Sequence, residues 1–373
     1  MTGGPIVWIA GVGWDDVIGT DRRMVTAIAE NREVIWVDSP HRGQWRGWWR
    51  RQGPAVEAVG SGITRLRAPA PPGFSRWPIR HLTGALQQWT IRRNLRRVVA
   101  DAVVVASPVA RFPRIRGAAR VLFVTDDWAT GAELMGLRRA WIATALSANA
   151  RAADAIAMVS PPLGETLPAS ETLGEKPVAV IPNGAPRVDR IPGRREAVAG
   201  LVGQLNERLD LGILEALAEA GVPLRLVGPS TASDPEFRKR LTALVARENV
   251  EWTGALDKDA LTDQLSRISV GITPYADTAF NRASFPLKTL EYLAAGVPVV
   301  STDLAASRWL ASPDVEIALS VDDFVARVER LLSAKDDTGE EERVAFAATH
   351  GWPQRARALA DLIDAAKRGR RDH

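Results

Sequence analysis

The chain has 373 residues, 46% of them hydrophobic and 25% charged, which suffices for two globular domains and excludes disordered or fibrous architectures. It has no cysteine, and His41, His81, His350 and His373 are scattered, so disulfides and thiolate metal sites drop out and no bound metal is expected. The net charge of +4 conceals an asymmetry: residues 1–183 hold 23 basic and 15 acidic residues (+8), the remainder 25 and 29 (−4).

The first element is IVWIAG at 6–11; with no basic lead and with Asp15 and Asp16 following, it reads as a strand and not as a signal peptide. Gly11 and Gly13 after it either let a loop pass close to a ligand or make a simple turn. Asp15, Asp16, Arg22 and Arg23 in WDDVIGTDRR either line the same site or solvate helix ends. VIWVD at 34–38 is the next strand, and QWRGWWRRQ at 44–52 then places three tryptophans and three arginines in nine positions. Residues 39–97 hold twelve arginines against the single acid Glu57. After ITRLR at 63–67, the segment 74–99 offers an amphipathic helix with Trp77, Ile79, Trp89 and Ile91 available to an interface.

AVVVAS at 102–107, VLFVTDD at 121–127, AIAMVS at 155–160 and VAVIP at 178–182 complete a first series of short β-branched runs separated by helical patterns. That alternation is the mark of βαβ units on a parallel sheet. Asp126 and Asp127, at a strand end, either carry acid–base chemistry or cap the next helix. After PNGAPRVDRIPGRR at 182–195 the series restarts with AGLVG at 199–203, LRLVG at 224–228, VGITP at 270–274 and VPVVS at 297–301. The pattern predicts an α/β chain of two doubly wound, Rossmann-like domains, 1–183 and 184–352. A closing helix and basic tail at 353–373 is expected to pack back on the first. Ligands of such sheets bind at the carboxyl ends of strands, so two facing sheets place the ligand in the cleft between the domains. No apolar run reaches the 18 or so residues of a membrane span, and the expected location is the cytoplasm.

The stretch ASFPLKTLEYLAAGVPVVST at 283–302 carries the most chemistry. Ser284 and Pro286 suit the start of a helix, and Gly296 with Pro298 ends it and launches a strand. Lys288 in the first turn opposes the helix dipole unless an anion such as a diphosphate is there to offset it. Glu291, three residues on, shares its face and can accept two hydrogen bonds from a ribose diol. The alternative is a solvated ion pair between the two.

These residues resemble the donor-binding region of the nucleotide-sugar glycosyltransferases called glycosyl transferases group 1, which have the GT-B fold of two facing Rossmann-like domains with parallel sheets. IPNG at 181–184, LVGQLNERLDLGIL at 201–214, LRLVGPS at 224–230 and GWPQRARALADLI at 351–363 match in the same order. WDDVIGTDRR and VTDDWA look like a branch that makes polysaccharides and other cell-surface glycans. The resemblance implies that Glu291 binds the donor ribose. Leu287, Lys288, Arg208, Asn183, Gly184 and Gly13 become donor-site candidates, and Asp126 with Asp127 catalytic candidates. The chain departs from the family at Ala283, where a second glutamate is usual, at Pro286, where many members have glycine, and at Gln204 and Leu209, in place of an arginine and a lysine.

What the resemblance implies is a metal-independent, retaining transferase, with the nucleoside diphosphate sugar as substrate and no further cofactor. The acceptor is a glycan or a lipid-linked glycan. An epimerase of the same fold, a non-catalytic adaptor and a nucleic-acid binder are the alternatives, although no nucleic-acid partner is expected. Arg46, Trp48, Trp49, Arg50 and Arg51 are the candidates for docking on an anionic membrane surface, peripherally and on the inner face.

Overall fold

The computed structural model describes residues 3–16, 18–38, 56–132, 135–167, 175–187, 195–285, 287–334 and 339–370. They divide into two units, one of Met1–Pro182 with Trp352–His373, the other of Asn183–Gly351.

The first unit is built on strands β1 (Ile6–Ile9), β2 (Val34–Val37), β3 (Val56–Gly60), β4 (Ile63–Leu66), β5 (Ala102–Val105), β6 (Ala119–Val124), β7 (Ala155–Met158) and β8 (Val178–Val180). Their order is β3-β4-β2-β1-β5-β6-β7-β8, parallel except for β3, which is antiparallel to β4. Strands β1, β5 and β7 are buried along their whole length, as their unbroken apolar runs require of strands covered on both faces. Helices Ile79–Leu95 and Arg139–Ala152 are the crossovers into β5 and β7. Helix Trp352–Gly369, at the far end of the chain, returns to this unit and packs on helix Thr20–Ala29, β6 and β7 through Leu359, Leu362, Ile363 and Ala366. Its Lys367 pairs with Asp101 at 2.9 Å.

The second unit has strands β9 (Glu196–Val202), β10 (Leu224–Val227), β11 (Val250–Gly254), β12 (Ile268–Thr273), β13 (Val299–Thr302) and β14 (Val315–Ala318), in the order β11-β10-β9-β12-β13-β14, all parallel. The chain winds outward from β9 in one direction and from β12 in the other, so the sheet's switch point lies between these two strands. There the ladder runs out: β12 pairs with β9 as far as Gly271 opposite Gly200. Tyr292, fully buried in helix Leu287–Ala294, fills the gap. Its hydroxyl donates to the Gly200 carbonyl at 2.9 Å and accepts from the Val202 amide at 2.7 Å. Burial holds this hydroxyl well above its usual pKa, so it stays a donor. A Cβ at position 271 would stand 2.5 Å from the Tyr292 ring, so the glycine there makes the room.

The structure adds three strands to those expected, β3, β11 and β14, and each lies at a sheet edge. Ile91, expected at an interface, is instead fully buried against Val103, Val105 and Leu95, while Trp77 and Trp89 are exposed. Ser284, expected to start the following helix, donates its hydroxyl back to the Phe280 carbonyl at 2.9 Å, at the end of the helix before it.

Replacing Tyr292 by phenylalanine keeps the ring and strands two buried backbone groups, so the folding free energy should drop by about 1–3 kcal/mol. Urea denaturation with an unchanged m-value checks this. A variant as stable as the parent would mean that water replaces the hydroxyl at no cost.

Candidate functional site

The loops that leave β9 and β12 zip together above the switch point. The Ala276 amide donates to the Arg208 carbonyl, and the Asp210 amide to that of Pro274. The Arg208 guanidinium is held by Asn281 Oδ1 at 3.0 Å and lies 4.9 Å from the Phe280 ring centroid and 5.3 Å from that of Tyr275. Nothing in the local sequence announces this cage, because Asn281 is 73 positions away from Arg208. At the end of β9, Gly203 passes beside Lys288, whose Cε would be 3.7 Å from a Cβ at 203. Gly228, with φ +135°, ends β10 in a conformation suited to glycine, and a Cβ there would overlap the Gly203 carbonyl.

Lys288 and Glu291 meet, Nζ to Oε2 at 2.6 Å, but the pair is not a solvated one. The Glu291 side chain is only 6% exposed and that of Lys288 28%. A buried carboxylate needs a charged or strongly donating partner, and without a ligand Lys288 supplies it. Two hydroxyls, Thr273 Oγ1 at the end of β12 and Thr289 Oγ1 in the helix's first turn, are buried with no protein partner. The Leu287 amide is already taken by the Phe285 carbonyl, so of the two expected helix-start residues Lys288 is the better placed for an anion. Ala283 is buried in the short helix Ala279–Ala283, and Pro286 lies outside the described residues. Asn183 and Gly184 are buried where the chain enters this unit, next to Ala185, which forms a parallel bridge with Gly351.

The other candidates belong to the first unit. Asp127 accepts from the amides of Ala129 and Thr130 through Oδ1, which makes it a cap of the 3-10 turn Thr130–Ala132. Asp126 stays half-buried at the β6 end, and its charge acts on Asp21. Gly13 gives its amide to Asp16 at 2.7 Å in a tight turn and has none left for a phosphate. Arg22 lies over the Trp14 ring at 4.5 Å, and Asp15 pairs with Arg65, so both hold the loop together. Asp21 escapes the sequence reading. It is 6% exposed and accepts from the Gly11 amide at 2.7 Å. Burial, with the Asp126 charge adding to it, raises its carboxyl to about 7 against the lowering effect of that amide.

Arg46, Trp48, Trp49, Arg50 and Arg51 lie outside the described residues. Among the described residues no helix is long and apolar enough to cross a membrane, and no three His, Cys, Asp or Glu side chains gather as metal ligands.

Residues 197–334 match the family Glycosyl transferases group 1. TuaH of Bacillus subtilis (strain 168), provisionally assigned as a teichuronic acid biosynthesis glycosyltransferase, is 32% identical over 218 residues, 54% of each chain. The chain thus spans about half the length of the curated relative it matches. Among solved structures, sucrose-phosphate synthase from Thermosynechococcus elongatus superposes with a TM-score of 0.72 at 17% identity, covering 97% of this chain and 98% of that one. HepE from Anabaena, in complex with UDP and glucose, gives 0.67 at 12%, covering 97% and 99%. At such identities the likeness shows the fold, which is the α/β GT-B fold.

Asp21 makes stability depend on pH. Its folded pKa lies above the unfolded value of about 3.9, so the folded chain keeps a proton the unfolded chain has lost. The contribution is complete below pH 4 or so and vanishes as pH rises through about 7, a loss on the order of 4 kcal/mol. Denaturation series from pH 4 to 8 should show the decline in the parent and a flatter profile in Asp21→Asn. Equal slopes would assign the titration to another group.

Proposed function

We propose that the chain is a glycosyltransferase, because residues 197–334 match the family Glycosyl transferases group 1 and the fold is GT-B. It moves a sugar from a nucleoside diphosphate donor to a glycan or lipid-linked acceptor. One observation carries the donor site: a buried glutamate, charge-paired to a lysine in the first turn of a helix, beside the glycine that ends β9 at the sheet's switch point. In that crevice Glu291 takes the ribose hydroxyls, and Lys288 turns from Glu291 to the diphosphate. The ribose donors then replace the ammonium that neutralised the carboxylate, so binding exchanges one set of charged hydrogen bonds for two. Arg208 is the second cation at the mouth of the site. The leaving diphosphate is stabilised by Lys288 and helix amides in a retaining reaction that needs no metal. HepE, solved with UDP and glucose, supports a nucleotide-sugar donor, and the name of TuaH supports a cell-envelope polysaccharide as product.

In the first unit Asp126 is the proposed group at the acceptor hydroxyl, with Asp21 setting the charge around it. The arginine- and tryptophan-rich segment 44–52 holds that unit on an anionic membrane surface, the arginines drawn to lipid charge and the indoles to the headgroup level.

Calorimetry with a panel of nucleoside diphosphates tests the donor site. Glu291→Gln should weaken binding by roughly 1–3 kcal/mol, and Lys288→Ala should weaken the diphosphate more than the free nucleoside. Equal affinities for parent and Glu291→Gln would remove the ribose assignment. Product analysis with and without acceptor separates a transferase, which needs one, from an epimerase, and turnover surviving a chelator supports the metal-free route. Binding to anionic liposomes should fall with salt and vanish when Arg46, Arg50 and Arg51 become glutamate; salt-insensitive binding would reject the electrostatic docking.

A further inference from the structure

Helix Ile79–Leu95 is turned inside out relative to an ordinary surface helix. Its inner side buries Thr83, Gln87 and Thr90 together with Ile91 and Leu95, whereas its outer side carries Leu82, Ala85, Leu86 and Trp89. Those four stand at i, i+3, i+4 and i+7, a single stripe along the helix. Leu82 and Trp89 are each 55% exposed, Ala85 is exposed and Leu86 half-buried. A surface helix normally hides its apolar stripe and shows its polar one. Here two of the hidden polar groups, Gln87 Nε2 and Thr90 Oγ1, lack a partner. One exposed leucine needs no explanation. A regular apolar stripe on the outside of a helix that spends its core side on threonine and glutamine is a surface built to be covered.

The same line continues into cations. Arg92 and Arg96 lie three and seven residues after Trp89, and Arg93 leans over the Trp89 ring, 5.4 Å from its centroid. Residues 74–99 hold no aspartate or glutamate, and among the described residues none of these three arginines has a carboxylate partner. The helix dipole welcomes positive charge in the last turn, but it does not account for the apolar turns that lead up to it. The outer face is thus divided along its length, apolar from Leu82 to Trp89 and cationic from Arg92 to Arg96. At 1.5 Å per residue the whole line is roughly 20 Å long.

That division identifies the partner. A bilayer holds a helix lying on it at one depth, so an interfacial helix keeps its apolar stripe along its full length and sets its cations along the borders. In this helix the arginines interrupt the stripe itself. A rod with complementary halves fits instead: a second helix, apolar in one half and acidic in the other, read by anchors at i, i+3, i+4 and i+7. Running antiparallel, such a helix brings its first turns, where its own dipole favours carboxylates, over Arg92, Arg93 and Arg96. Its apolar turns then meet Leu82, Ala85, Leu86 and Trp89. Tryptophan and arginine are the residues that most often carry contacts of this kind.

We propose that the outer face of helix Ile79–Leu95 docks an acidic amphipathic helix of a partner protein. The proposal uses neither the donor site nor segment 44–52, so it stands or falls apart from both.

The test uses the full chain and a labelled, stapled helical peptide about five turns long, with glutamate at the seam positions of its first half and leucine at those of its second. Fluorescence anisotropy should show saturable one-to-one binding. Trp89→Ser should weaken it about tenfold or more, and Arg92→Glu with Arg96→Glu should abolish it, with Tm unchanged because all three side chains are exposed. A peptide with lysine in place of glutamate should be ignored by the parent and bound by the double variant, an exchange that a misfolded variant cannot produce. No binding by the parent, or binding indifferent to Trp89 and to the charge exchange, overturns the proposal. So does a parent that ignores the peptide but co-sediments with phosphatidylglycerol vesicles through Trp89, since the face would then belong to a bilayer.

Discussion

The second unit depends on one side-chain hydroxyl. A parallel sheet that reverses its winding must let two neighbouring strands part at their carboxyl ends, and parting leaves backbone groups without partners in the interior. Tyr292 meets that demand on β9 with a single oxygen that donates to the Gly200 carbonyl and accepts from the Val202 amide. The same contact fixes the helix carrying it. With Tyr292 anchored in the sheet, the preceding residue, Glu291, is buried at the crevice, and Lys288 is set one turn earlier against the end of β9. Stability and site geometry therefore share an origin, and the glycine at 271 serves both by leaving space for the ring.

Most interior strands were legible from the sequence because burial on both faces demands unbroken apolar runs. Strands β3, β11 and β14 were not. Each is an edge with one neighbour, and VEAVG, VEWTG and VEIA each carry a glutamate at the second position that breaks the apolar run. The donor-site pair was legible for a similar reason: Lys288 and Glu291 lie within one helical turn, and the tension between lysine and dipole is visible in a few residues. The environment of Arg208 and the burial of Asp21 were not, because contacts 73 and 10 positions away create them. Asp127 shows the converse. Its position was readable, but only the structure shows its carboxylate engaged in a cap.

The basic stretch between residues 39 and 97 also proves less uniform than its arginine count implies. Arg65 is 3% exposed and is surrounded by Asp38, Asp15 and Glu57, with Asp38 also accepting from the Trp36 indole and the Trp14 amide. Arg67 shares Glu57. These arginines hold the β2–β4 edge of the sheet together and add nothing to a surface field. Arg93, by contrast, lies over the exposed ring of Trp89, 5.4 Å from its centroid, on the outside of its helix. One residue type thus serves two physical ends within thirty positions, as a buried cross-link where carboxylates converge and as a surface cation where they do not.

The return of helix Trp352–Gly369 to the first unit sets an order on biogenesis. A ribosome releases Met1–Pro182 before Asn183–Gly351, yet the face formed by β6, β7 and helix Thr20–Ala29 stays uncovered until helix Trp352–Gly369 emerges. Asn183–Gly351 is contiguous and can close its core before then. The unit begun first is completed after the one that follows it, and during that interval its apolar face is what a chaperone would meet. A premature stop or a proteolytic nick near residue 352 would therefore damage the opposite end of the sequence, unroofing the unit that was synthesised first while sparing the one next to the break.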